Sequence, residues 1–149
     1  MANITTKILV SPNKYVQGPG ALSEIGKHVK LLGKKAFIMG GPIALGIAEN
    51  TIKKSFEEEE VVVVAVDRNV KECSYKNIRR LTETGKRARV NIVIGVGGGK
   101  AVDTAKAVAF DMGVPCVMVP TQCATNAEPS ALSVVYTEKH EFIGYLVHP

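Results

Sequence analysis

The sequence predicts an α/β domain: a mostly parallel sheet with helices on both faces, followed by a C-terminal β-hairpin. Three observations predict it. Short apolar runs alternate with segments of helical spacing along most of the 149 residues, the order that β-α-β units impose. One run, VVVVAV at 61–66, is almost purely β-branched and lacks alternation, which predicts burial on both faces. The tail breaks the pattern, with ALSVVY at 131–136 and EFIGYLV at 141–147 flanking a turn at Thr137–His140.

The elements follow in order. KILVSP at 7–12 reads as a short strand, and Gly18, Pro19 and Gly20 break the chain after it. Leu22, Ile25, Val29 and Leu32 recur at helical spacing, so 21–32 reads as an amphipathic helix ended by Gly33. AFIMGG is a buried strand closed by glycines. Residues 43–57 form the next helix, with Ile43, Ile47 and Ile52 expected inward, and the glutamates at 57–60 make a solvated helix end and turn. Residues 74–88 are a third helix with Ser74 as N-cap. NIVIGV at 91–96 is a strand, 100–112 a helix capped by Gly113, and VPCVMVP at 114–120 a further strand.

Composition narrows the class. The chain is 46% hydrophobic and 22% charged, which suits a globular core and argues against disorder. No apolar run approaches a membrane span, and MANITTKILV lacks the order of a signal peptide, so a cytoplasmic location with no membrane partner is expected. Cys73, Cys116 and Cys123 form no C-x-x-C pair, and three free thiols are expected. The basic groups Arg79/Arg80 and Lys86/Arg87/Arg89 have no aromatic platform beside them, so they read as a solvated helix face and not as a nucleic-acid site.

The chemistry concentrates in VIGVGGGKAVDTAKAVA at 93–109. A strand meets Gly97, Gly98 and Gly99 and then a helix. Glycines clear a path to the backbone and permit positive φ. The helix N-terminus offers N–H groups and the positive end of its dipole, which suit a phosphate or pyrophosphate. The alternative is a tight turn that serves only helix–sheet packing. Lys100 would add positive charge near a phosphate or point to solvent. Asp103 suits the helix dipole, or a hydroxyl or amide of a ligand. The run is neither G-x-G-x-x-G nor G-x-x-x-x-G-K-[ST], so a different dinucleotide-binding architecture is needed.

VIGVGGGKAVDTAKAVA, VPTQCATNAEPSALSVVYTEKHEF and the opening SPNKYVQGPGAL together resemble the glycerol dehydrogenases of the iron-containing (group III) alcohol dehydrogenase superfamily, related in fold to dehydroquinate synthase. The resemblance covers nearly all of 1–149, but only the family's N-terminal, Rossmann-like NAD-binding domain. It implies a domain of an enzyme that moves hydride from the secondary alcohol of a small polyol such as glycerol to NAD. It implies that Gly97, Gly98 and Gly99 hold the NAD pyrophosphate, with Lys100 and Asp103 beside it. Thr121 would contact the nucleotide, and Ser130, Leu132 and Tyr136 would lie along its nicotinamide half.

Departures from the family pattern matter as much. Asn126 stands where the family has an aspartate associated with the polyol, Ala124 where a serine is common, and Glu128 where it has a proline. Gly40-Gly41-Pro42 replaces an acid suited to the adenosine ribose, which opens the way to NADP. The family's zinc or iron is bound by an aspartate and two histidines of a following helical domain. His28, His140 and His148 show no metal spacing and read as a helix, a turn and a terminal residue. The expectation is therefore an incomplete enzyme with no catalytic or metal residue of its own, inactive alone, forming a homo-oligomer or pairing with a metal-binding domain. A non-catalytic nucleotide-binding module is the other reading, and a glycerol-1-phosphate dehydrogenase or dehydroquinate-type synthase a third.

Overall fold

The computed structural model describes residues 13–123 and 126–148. After a 3-10 turn at Ala21–Glu24, the elements are α1 (Ile25–Val29), β1 (Lys35–Gly40), α2 (Pro42–Glu58), β2 (Val62–Asp67), α3 (Tyr75–Arg87), β3 (Ile92–Gly97), α4 (Gly99–Met112), β4 (Cys116–Pro120), β5 (Leu132–Tyr136) and β6 (Phe142–Val147). The strand expected at 7–12, and Ala124, lie outside the described residues.

β1 to β4 form one parallel sheet in the order β2-β1-β3-β4, and β5 and β6 pair antiparallel. Successive side chains of a strand face opposite sides of a sheet, and the two central strands show it. Phe37, Met39 and Val93 point into one core with Ile78, Leu81, Ala105 and Val108 of α3 and α4. Ala36, Ile38, Ile92, Ile94 and Val96 point into the other, with Val29, Leu45, Ile52 and Phe56 of α1 and α2. Helices thus cover both faces, which is why β1 and β3 read as continuous apolar runs.

Three expectations need correction. VVVVAV is not buried on both faces, because β2 is the sheet's edge strand and leaves Val62 59% exposed. Ile43 and Ile47 point outward, 81% and 72% exposed. The buried stripe of α2 is Leu45, Ala48, Ile52 and Phe56, and residues two positions before or after Leu45 fall on the opposite side of a 3.6-residue turn. The first helix is shorter than expected, ending at Val29, and Leu32 is exposed.

Local chemistry sets other boundaries, and the caps at Ser74 and Gly113 are as expected. Ser74 Oγ accepts from Asn77 N and starts α3. Gly113 closes α4 with φ 65°. Asn91 Oδ1 accepts from the backbone N–H groups of Lys34 and Lys35 at 3.0 and 2.7 Å, which fixes where β1 begins beside β3.

Candidate functional site

The chain runs from β1 outward to β2, then crosses back to place β3 on the other side of β1. Adjacent connections therefore leave the sheet in opposite directions at the carboxyl ends of β1 and β3, where open α/β sheets form a crevice. Gly40–Gly41 leads into α2 on one side of it and Gly97–Gly98 into α4 on the other. Gly41 is the N-cap of α2, with Pro42 in the first turn. A Cβ on Gly41 would meet nothing within 4 Å.

The glycines behind the turn have separate jobs. A Cβ on Gly95 would lie 2.4 Å from that of Ala105, so this glycine lets α4 pack closely on β3. Gly97 has φ 145°, in the region that L side chains avoid, and a Cβ there would sit 3.0 Å from that of Ala101. Gly98 is the N-cap of α4, with φ −91° and no side chain capping the helix. Its hypothetical Cβ would meet only the Gln122 side chain, at 2.6 Å from Oε1. Thr121 N donates to Gly97 O at 3.0 Å, joining the two loops at this edge. Within the triplet, Gly97 is held to glycine by its φ and its closeness to Ala101, whereas Gly98 faces only the Gln122 side chain. Gly95 precedes the triplet, inside the strand, where spacing alone does not mark it.

Beside the crevice lies a cleft of about 680 Å³ between α4 and the hairpin. Gly99, Lys100 and Asp103 line it from α4, and Asn126, Ser130, Leu132 and Tyr136 line it from the chain beyond β4. Seven of the candidate residues thus come together there, while Gly97, Gly98 and Thr121 stand at the crevice outside that lining.

Lys100 neither stands alone over the turn nor points to empty solvent. Its Nζ lies 2.8 Å from Glu72 Oε2. His140 Nδ1 lies 2.5 Å from the same oxygen, and His140 sits in the hairpin turn with φ 65°. Burial pushes Glu72 up, but hydrogen bonds from Lys100, His140 and Cys73 N outweigh it and hold the carboxyl below its ordinary value. Sequence reading missed Glu72 altogether. Nothing in spacing links it to a histidine so far along the chain.

Asp103 turns away from the glycine turn. Its Oδ2 accepts from Val134 N at 3.0 Å, and its Oδ1 lies 2.9 Å from Lys106 Nζ. Its carbonyl accepts from Ser133 Oγ at 2.7 Å. The carboxylate is thereby a tie between α4 and the hairpin. Ser130 Oγ donates to Ala127 O at 2.8 Å, so this hydroxyl is engaged within its own loop. His148 is no loose terminal residue: its Nε2 lies 2.8 Å from Ser133 Oγ, and burial holds the imidazole below its ordinary value.

The donor set fits a dinucleotide better than a metal. A helix start with no side-chain cap, led by glycine, suits a pyrophosphate, and the neighbouring cleft offers both apolar and polar walls. Among the described residues, no group of three or more His, Cys, Asp or Glu could hold a metal ion. Cys73 is buried, Cys116 half-buried and Cys123 exposed, all three as free thiols. Among the described residues no helix is long and apolar enough to cross a membrane. Arg80 of the basic helix face pairs with Asp67 at 2.5 Å.

The sequence profile of the iron-containing alcohol dehydrogenase family matches residues 12–149. A glycerol dehydrogenase of Escherichia coli is 41% identical over 143 residues, covering 96% of this chain and 39% of that protein. A glycolaldehyde reductase of Halobacterium salinarum is 37% identical, covering 94% of the chain and 38% of that protein. Among solved structures, a probable glycerol dehydrogenase of Sinorhizobium meliloti superposes with a TM-score of 0.85 at 30% identity, over 97% of this chain and 39% of that one. The chain spans about 39% of the length of such relatives.

Proposed function

The chain belongs to the iron-containing alcohol dehydrogenase family, and we propose that it forms the NAD-binding part of a polyol dehydrogenase acting on glycerol or a similar small polyol. The observation that carries the reading is the glycine turn opening α4 at the β1/β3 crevice, in a chain whose relatives are named glycerol dehydrogenase. Gly97, Gly98 and Gly99 would receive the pyrophosphate on backbone N–H groups. Thr121 would border it, and Lys100 would supply charge on leaving Glu72. Leu132, Tyr136 and the Ser130 loop would form the wall along the nicotinamide half, and Asn126 would offer an amide to a polyol hydroxyl. Bound NAD supplies the hydride acceptor.

The described residues do not fit a zinc or iron centre, so no step is assigned to a metal. On this reading turnover draws on metal ligands outside the described residues. The exposed apolar side chains Phe142, Ile143, Tyr145 and Val147 of β6 support contact with a metal-binding domain or with another copy. A cytoplasmic setting agrees with the three free thiols. A second reading, a nucleotide-binding module without redox chemistry, is favoured by one observation: the cleft residue beside the hairpin is Asn126, whose amide does not ionise.

The test is titration of NADH by its own fluorescence. Enhanced, saturable emission on adding the protein supports the reading, and competition by NAD fixes the site. Emission identical to NADH in buffer at high protein concentration contradicts it.

A further inference from the structure

We propose that Lys106 is a positioning residue, which holds the far wall of the cleft at a fixed distance from the glycine turn and so sets affinity for the part of a ligand that reaches past that turn. The proposal rests on the dinucleotide reading above. Lys106 is buried on α4, 7% exposed. Its Nζ lies 2.9 Å from Asp103 Oδ1. Its three N–H groups are shared among Ala127 O at 2.7 Å, Ser130 O and Ser130 Oγ at 3.2 Å each, and Leu132 O.

A buried ammonium is costly unless paired and hydrogen-bonded. Here a carboxylate and three carbonyls surround it. The other inward residues of α4 are short, with Ala101, Val102, Ala105, Ala107, Val108 and Ala109 packing the helix against its neighbours. Lys106 is the one long side chain among the helix's buried positions.

What it reaches is the loop at 127–130 and the start of β5, where Leu132 pairs with Val147 and Ala131 O accepts from His148 N. Among the described residues from 126 to 132 none is fully buried, so polar ties carry much of the burden of fixing this segment. The same helix opens with the glycine turn and, two turns on, grips the loop that bears Asn126 and Ser130. Asp103 extends the grip to Val134 N in β5. Both walls of the cleft are therefore referred to one rigid element.

The test compares a ligand that spans both walls with one that ends at the turn. NAD and ADP are titrated calorimetrically into wild type, Lys106→Met and Lys106→Arg. Hydrogen exchange of residues 127–136 is followed against β3. Lys106→Met is expected to weaken NAD by at least about tenfold, from the loss of charge-assisted hydrogen bonds that fix the wall, and ADP by less than about twofold. Lys106→Arg, which keeps the cation beside Asp103, should fall between Met and wild type for NAD. Exchange at 127–136 should quicken in Lys106→Met while β3 is unchanged.

Equal loss of NAD and ADP affinity in a variant that still melts cooperatively overturns the proposal, as does unchanged NAD affinity. Should Lys106→Met fail to fold, the same NAD-against-ADP split is read from Lys106→Arg. Wild type binding neither ligand sinks the dinucleotide reading instead. The exchange comparison then still decides the positioning role, and unchanged protection at 127–136 overturns it.

Discussion

Glu72 Oε2 sits 2.8 Å from Lys100 Nζ, so the first cation after the glycine turn is already paired with a buried carboxylate. His140 reaches the same oxygen from the hairpin turn. The carboxylate thereby fastens the chain before α3 to the start of α4 and to the hairpin. Its folded value is depressed, and the sign of the linkage follows. The stabilisation is present above the ordinary carboxylate value near 4.5 and is lost as pH falls through the lower folded value. Glu72→Gln is expected to cost about 1 kcal/mol at neutral pH, a difference that shrinks on acidification. Urea melts of both proteins across the acid range measure it, and a difference that grows toward low pH would contradict the assignment.

The glycine turn divides by conformation. Gly97 at φ 145° tolerates no side chain without strain, and its added Cβ would crowd Ala101. Gly97→Ala should cost about 1–3 kcal/mol. Gly98 has an ordinary φ of −91°, and its added Cβ meets only the end of the Gln122 side chain, which can swing aside. Gly98→Ala should change stability by less than about 0.5 kcal/mol. Thermal melts of the two variants are expected to differ in that order, and the reverse order would refute the division.

The thiols should report the packing. Burial pushes Cys73 and Cys116 up to about 12, which leaves almost no thiolate at neutral pH. Cys123 is exposed in the loop after β4. A disulfide reagent at neutral pH is expected to modify one thiol per native chain, identified as Cys123 by peptide mapping, and three on denaturation. Rapid modification of Cys73 in the native protein would contradict the core described for the α3 and α4 side of the sheet.

On the proposed reading, cofactor choice falls to the other lip of the crevice. Gly40 and Gly41 bring no carboxylate to bind a ribose hydroxyl or repel a 2′-phosphate. Asp67, at the end of β2, is held by Arg80 and by the backbone of Asn69. Weak discrimination between NAD and NADP is therefore expected, within about tenfold. Parallel titrations measure it, and a strong preference for NAD would point to an acid that acts there after all.

The fold was legible because period and punctuation agreed. The central strands, the Ser74 cap, the Gly113 stop and the hairpin were each marked by local chemistry. What failed was context. VVVVAV carries no sign of lying at an edge, since strand order is a property of the whole sheet. Ile43 and Ile47 share a helix with a stronger stripe two residues out of phase, and the apolar residues alone do not say which stripe wins. The glycine turn announced itself as a cluster. Glu72, His140 and Lys106 did not, because their meaning lies in partners brought close only by the fold. Asp103 was noticed, but its role as a tie to Val134 depended on where the hairpin docks.

The central claim, that the turn at Gly97–Gly99 receives a dinucleotide, is tested most directly by calorimetric titration of NAD into wild type and Gly98→Val. Wild type is expected to bind, and the variant, melting at a similar temperature, to bind at least about tenfold more weakly, because a side chain stands between the pyrophosphate and the helix N–H groups. Equal NAD affinity in the two proteins would contradict it.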